Sequence, residues 1–294
     1  MYLGAPTCIS FQDTFGNENP WNSLEIVTAE SQLVQPNYKE YVSPASLRRM
    51  STVLKMGVAG GKSSLQNSGL ESCDAITVGT GLGCVRDTLK FLKAVYADQE
   101  SGLSPTAFIQ STHNSIAGQL ALLLGNHGYN MTHVQGALSL GYALSDAELF
   151  IREGDAKTVL VGAVDEKTDE LVELLSKLSE TVNYPLPEIG EGGAFFLASN
   201  EKLDSSLAKM SKLSLTDKIS DEVDLVLSNT YGGFNYTQFS GEHFTSPGFG
   251  LFMALKAFEA GKVDTNHISF ENPKRILVHH KLLGQEMSIL LEKV

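Results

Sequence analysis

The sequence predicts an α/β protein in which a mainly parallel sheet lies between layers of helices. Three observations carry that expectation. Short apolar runs bounded by glycine alternate with longer stretches of helical periodicity over two thirds of the chain. Hydrophobic residues make up 42% and charged residues 19% of the 294 positions, ordinary values for a chain with ample length for a core. No linker or low-complexity tract interrupts the alternation, so one compact unit is expected.

Taken in order, S-P-A-S-L-R-R-M-S-T-V-L-K (43–55) reads as a capped helix with a solvated face, or as a docking spot for an acidic partner through Arg48, Arg49 and Lys55. Ala75 to Val78 (A-I-T-V) reads as a buried strand, followed by a glycine turn and a helix from about Val85 to Tyr96. Ser111 to Leu124 is apolar on most sides and is expected as a buried helix, stopped by Gly125 and Asn126. A strand then runs into Gly136, a helix spans about Leu138 to Ile151, and Gly154-Asp155 turn the chain into a strand from Thr158 to Gly162. Lys167 to Thr181 is a polar helical stretch suited to the surface, and Glu188 to Asn200 runs from a glycine-loosened turn into a strand. From about Leu203 a shorter half follows. It holds a strand near Asp224 to Leu227, a glycine-rich loop to Gly250, a helix to Ala260, and closing strands near Arg275–His279 and Met287–Leu291.

Composition excludes several function classes. The net charge of −12 and the absence of a basic stripe argue against nucleic acid. No apolar run is long enough to span a membrane, and the opening residues lack the basic and apolar regions of a signal peptide. Cys8, Cys73 and Cys84 are too few and too scattered for a disulfide scaffold or a zinc site, which suits a reducing cytoplasm. No cofactor is expected.

The most informative stretch is G-Y-N-M-T-H-V-Q-G-A-L-S-L-G, Gly128 to Gly141: a short strand, a tight bend and the start of an apolar helix. A side chain at such a bend sits where unpaired N–H groups and the helix dipole stabilise a thiolate or an oxyanion. The residue there is Ala137, which has nothing to deprotonate.

Five motifs in order give this chain a family resemblance: V-G-T-G-L-G-C (78–84), S-P-T-A-F-I-Q-S-T-H-N-S-I-A-G-Q-L-A (104–121), the Gly128–Gly141 bend, G-D-A-K-T-V-L-V-G-A-V-D-E (154–166) and G-E-G-G-A-F-F-L (190–197). Together they resemble the β-ketoacyl synthase branch of the thiolase fold. The resemblance implies a layered α-β-α-β-α fold with a ketosynthase-like half at 1–202 and a shortened half at 203–294. It places the family's nucleophilic cysteine on Ala137 and its two catalytic histidines on Asn229 and Glu242, with His243 next door. The family's phenylalanine-glycine loop is replaced by K-L-L-G-Q-E (281–286). A methyl group cannot hold an acyl chain as a thioester. The implied role is therefore a non-catalytic subunit similar to chain-length factors, paired with an active ketosynthase and reaching an acyl carrier protein through the complex. Small ketosynthase-like proteins of aryl polyene and flexirubin-type pathways share this loss. His133, Gln135, Ala137 and Leu138 would line the tunnel or the subunit interface, and an obligate oligomer is expected because the shortened half leaves an apolar face uncovered.

Other readings compete. A-L-S-L-G (137–141) matches a relaxed nucleophile elbow centred on Ser139, with Asp165 and His243 later in hydrolase order, so a free-standing hydrolase or acyltransferase is the alternative. G-T-G-L-G (79–83) suggests dinucleotide binding, with Asp98 or Glu100 downstream, but its third glycine falls one residue early. Cys84 opens a helix yet reads better as a small buried hydrophobe. His279 and His280 adjoin in a strand and must face opposite ways, so they cannot share a metal. Gln135, two residues before Ala137, would point to the same face and fill the vacated pocket if the strand ran that far.

Overall fold

The computed structural model describes residues 1–98, 103–182, 188–230 and 232–294. Its central strand is one that sequence pattern does not reveal: β1 (Tyr2–Ile9), interrupted by a bulge between Gly4 and Thr7. Helices α1 (Pro44–Leu47) and α2 (Thr52–Asn67) follow, then β2 (Ala75–Gly79), α3 (Val85–Asp98), α4 (Pro105–Gln110), α5 (Ser115–Leu124) and β3 (Tyr129–His133). After β3 come α6 (Ser139–Glu153), β4 (Thr158–Asp165), α7 (Asp169–Val182) and β5 (Gly192–Ser199). The remainder supplies β6 (Ser206–Ser214), β7 (Leu225–Ser228), α8 (Thr237–Ser240), α9 (Pro247–Ala260), the small hairpin β8 (Lys262–Asp264) and β9 (Ser269–Glu271), then β10 (Arg275–Leu282) and β11 (Gln285–Lys293).

Nine strands form one sheet in the order β3-β2-β4-β5-β1-β6-β11-β10-β7. The pairs β2–β3, β2–β4 and β7–β10 are parallel, whereas β4–β5, β5–β1, β1–β6, β6–β11 and β11–β10 are antiparallel. The expectation of a mainly parallel sheet is thus corrected to a mixed one. Two causes are visible. β1 threads antiparallel between β5 and β6. The two-residue turn Leu283-Gly284, with φ of +49° and +80°, can close only an antiparallel hairpin.

Two apolar cores fix the layers. On one face of the β2-β4-β5-β1 region, Ile76, Val78, Leu160, Val164 and Phe195 pack with Met56 of α2 and Ile116 and Leu120 of α5. On the other face, Val159, Val161 and Phe196 meet Leu140 and Leu144 of α6 and Leu251 and Leu255 of α9. Those helices also cover Ile276, Val278, Ile289 and Leu291 on the inner face of β10 and β11. The layered thiolase-like arrangement is present, and β10 and β11 also carry an outer face. Leu277 and Leu290 there are buried. The loop 215–224 straps across the same face: Ser288 Oγ donates to the Asp217 carbonyl, the Ile219 N–H donates to Ser288 Oγ, and Arg275 pairs with Asp221. The apolar face expected to be bare on this half is therefore covered.

Two helices differ from expectation. The 43–55 segment is no single helix: Ser43 caps only the four-residue α1, and α2 begins at Thr52 as a core helix with Val53, Leu54 and Met56 buried. The 111–124 stretch is helical only from Ser115, as α5, with 111–114 forming a turn after α4, and only Ile116, Ala117 and Leu120 of α5 are buried, because a single face meets α2. Leu122 is left 79% exposed. Among the described residues no helix is long and apolar enough to cross a membrane.

Candidate functional site

The bend is built as its sequence implies. β3 ends at His133, Gly136 adopts φ +57°, a single 3-10 turn covers Gly136–Leu138, and α6 begins at Ser139. The end of β2 lies directly behind: a side chain at Gly79 would stand 2.6 Å from the Ser139 carbonyl oxygen, so only glycine permits this approach. Ala137 is buried, at 1% exposure, and its N–H at the helix start donates to Oε1 of Gln285 at 2.8 Å.

The expected filler is corrected here. Gln135 follows the end of β3, lies outside the strand's alternation and is exposed, so its side chain does not share a face with Ala137. The amide that reaches the bend comes from Gln285, at the start of β11, 148 residues away. Leu138 packs against the inner core, while His133 Nε2 lies 2.9 Å from Asp146 Oδ2, which also accepts from the Tyr129 hydroxyl.

Asn229 and Glu242, the positions on which the resemblance places the family's histidines, meet each other. Asn229 Nδ2 donates to Glu242 Oε2 at 2.9 Å and to the Lys281 carbonyl at 2.9 Å, and the Lys281 N–H donates to Asn229 Oδ1 at 2.9 Å. Bonds to both backbone groups of Lys281 fix the orientation of the amide. Glu242 Oε1 accepts from the Ser246 hydroxyl at 3.0 Å and faces His280 Nε2 at 3.4 Å, and His280 Nδ1 lies 2.9 Å from the Tyr236 hydroxyl. A proton on Nε2, facing the carboxyl, makes Nδ1 the acceptor for Tyr236. Burial pushes Glu242 up to about 7 against the downward pull of Asn229 and Ser246, and burial pushes His280 down to about 3. The pair is thus held largely uncharged between about pH 3 and pH 7. His279, on the opposite face as its neighbour requires, bonds Ser228 and Glu286 instead.

Next to Glu242, an apolar cleft is lined by Leu82, Leu171, Ile189, Phe244 and Leu282, with Asp165 and Glu166 at its acidic side. Ala137 does not line it. Leu82 and Leu171 also line a second, open groove with Val85, Leu89 and Leu174.

The competing chemistries are not assembled. Ser139 is fully buried, its hydroxyl donating toward the Thr80 and Gly136 carbonyls and accepting from the Gln135 N–H, while His243 Nδ1 bonds Thr245. No hydrogen bond joins Ser139 to His243 among the described residues. Asp165, buried, accepts from Thr80 Oγ1 at 2.8 Å and the Gly81 N–H at 2.9 Å, so the glycine turn's donors are spent on the protein's own carboxylate, not on a phosphate. Glu100 of the dinucleotide reading and the Asp98 side chain lie outside the described residues. Burial pushes the Cys84 thiol up, reinforced by Glu166 and Asp87, as fits a packing residue. Glu166 itself accepts from the Val53 and Arg86 N–H groups, capping α2 and α3 at once, and burial raises it to about 7. Arg48 and Arg49 stand exposed after α1, whereas Lys55 is partly buried on α2. A basic cluster that the sequence reading passes over, Arg86, Lys90 and Lys93 on one face of α3 with Lys167 nearby, lines a surface recess.

Residues 19–226 match the family described as β-ketoacyl synthase, N-terminal domain. The 3-oxoacyl-[acyl-carrier-protein] synthase 2 of Vibrio harveyi is 29% identical over 139 residues, covering 45% of this chain and 33% of that protein. The corresponding enzyme of Vibrio cholerae is 25% identical over 140 residues, with 45% and 34% covered. The matched region thus spans about a third of the length of these relatives. Among solved structures, the ishigamide ketosynthase/chain length factor superposes with a TM-score of 0.77 at 15% identity, covering 100% of this chain and 99% of that one. A ketosynthase in complex with its chain length factor from Xenorhabdus doucetiae gives 0.63 at 15% identity, with both chains fully covered.

Proposed function

Because this chain belongs to the β-ketoacyl synthase family, we propose that it is a non-catalytic, chain-length-factor-like subunit of a condensing enzyme. One observation carries the reading: the bend that should present a nucleophile presents Ala137, whose N–H is already bonded within the chain. Condensation needs a thiolate to carry the acyl group and donors for the oxyanion and enolate. Here the thiolate is absent, and the two positions for imidazoles hold Asn229 and Glu242, tied to each other and to the Lys281 backbone. In this reading residues 1–202 are the ketosynthase-like half and 203–294 the shortened one, and the active partner supplies all the chemistry.

The partner would dock at the β3 edge. β3 ends the sheet and pairs only with β2 among the described residues, leaving backbone groups free on its outer side. Met131 in the strand and Val134 just after it are 41% and 37% exposed, and Leu122, Tyr142 and Leu149 add exposed apolar side chains on the neighbouring helices. The likeness to ketosynthase/chain length factor assemblies supports a mixed pair. The cleft and groove that share Leu82 and Leu171 are candidates for part of a tunnel for a growing fatty-acyl or polyketide-type chain, as in aryl polyene pigments. Arg48 and Arg49 would meet an acidic carrier protein, and three free buried thiols suit a cytoplasmic setting. Co-expression with its cognate ketosynthase should give a stable heterodimer whose condensation activity needs both chains. Failure to associate with that partner, or condensation by this chain alone, removes the proposal.

A further inference from the structure

We propose that Gln285 is an internal ligand of the degenerate site. Its carboxamide oxygen occupies the place at the α6 bend that the carbonyl oxygen of an acyl group would need, so the position is closed twice: by the lost nucleophile and by this plug. The Ala137 N–H opens the helix, where unpaired donors and the dipole favour an oxygen acceptor, and Gln285 Oε1 takes that donor at 2.8 Å. The contact is close. A side chain at Gly136 would stand 2.6 Å from Oε1, so the amide lies directly against the bend that glycine leaves open.

The plug is also held in place. Leu283, in the turn just before it, adopts φ +49°, an unusual conformation for a residue with a branched side chain, and the tight turn sets Gln285 opposite Leu282. On one side Asn229 bonds both backbone groups of Lys281. On the other, Glu286 lies 2.9 Å from His279 Nε2 and 3.2 Å from Lys281 Nζ. Asn229 thus fixes the hairpin that delivers the plug. An amide suits the task, since it satisfies the N–H without burying a charge. Restoring a thiol at position 137 alone should not reopen the site.

The inference concerns this chain by itself and holds whether or not the chain pairs with a ketosynthase, so its test is separate from that of the proposed function. Alkylation by iodoacetamide reads access to the bend: the thiolate sulfur forms a bond to the CH2 carbon, iodide leaves, and the thiol proton passes to buffer. The native thiols give low background, because burial pushes Cys8 up to about 12, Cys73 up to about 11, and Cys84 up as well. We expect Ala137→Cys to be modified at least tenfold more slowly than Ala137→Cys combined with Gln285→Ala, as followed by intact mass. Equal rates overturn the proposal. Amide hydrogen exchange on the unaltered protein needs no variant. The Ala137 N–H should exchange at least a hundredfold more slowly than a solvated amide, and exchange at the solvated rate also overturns the proposal.

Discussion

Replacing Glu242 by glutamine tests the electrostatics of the Asn229–Glu242–His280 cluster directly. The substitution keeps the shape: the new amide oxygen can accept from Asn229, and its NH2 can donate to the Ser246 hydroxyl once His280 moves its proton to Nδ1 and donates it to the Tyr236 hydroxyl. What it removes is ionisation. Glu242 titrates near its ordinary 4.5 when unfolded and at about 7 in the fold, because burial penalises the carboxylate more than Asn229 and Ser246 relieve it. Between those values the folded chain retains a proton that the unfolded chain has released, so wild-type stability falls as pH rises from 4.5 through 7. At 1.36 kcal/mol per pKa unit, this one group costs about 3 kcal/mol by pH 8. The glutamine variant escapes that cost. The difference in melting temperature between variant and wild type, followed by differential scanning calorimetry, should grow in the variant's favour between pH 5 and pH 8 by roughly 4 °C. A gap that stays constant, or moves the other way, refutes the reasoning. His280, pushed down to about 3 mainly by burial, contributes in the opposite sense between pH 3 and 6.5.

Three further outcomes follow from named contacts. Asn229→Ala removes three bonds at 2.9 Å and leaves the Lys281 backbone unpaired, so it should cost about 1–3 kcal/mol in denaturant unfolding and speed amide exchange in the 281–286 hairpin. Gly162→Ala sets a methyl 2.1 Å from Cδ1 of the fully buried Phe195 ring, an overpacking that should destabilise by about 1–3 kcal/mol by urea titration. Met131→Arg, on the exposed strand edge, should leave the melting temperature of the isolated chain within about 1 °C yet abolish co-elution with the cognate ketosynthase in size-exclusion chromatography.

Much of the site was legible because its parts are local. The strand-bend-helix around Ala137 follows from Gly136 and the apolar period of 139–153, and the alternation of a strand is enough to separate His279 from His280. The strand β1 was hidden because Gly4, Ala5 and Pro6 break its pattern. Ala5 carries φ +48°, and a side chain at Gly4 would stand 2.0 Å from the Ser205 carbonyl oxygen, so packing in the sheet overrides local propensity. β6 was missed because polar residues occur on both of its faces and only Ser206, Ala208 and Met210 are buried. The glutamine that fills the site could not be read from sequence at all. Gln135 lay nearby and of the right type, but β3 stops before it, while Gln285 arrives through a hairpin on the far side of the sheet order. Long-range placement of that kind leaves no periodic signal.

The most direct measurement is intact-mass spectrometry after the purified chain and its cognate ketosynthase, mixed as the complex, are incubated with an acyl thioester of the carrier protein. The account predicts that the ketosynthase alone gains the acyl mass while this chain stays at its own mass. A covalent acyl increment on this chain, with or without its partner, contradicts it.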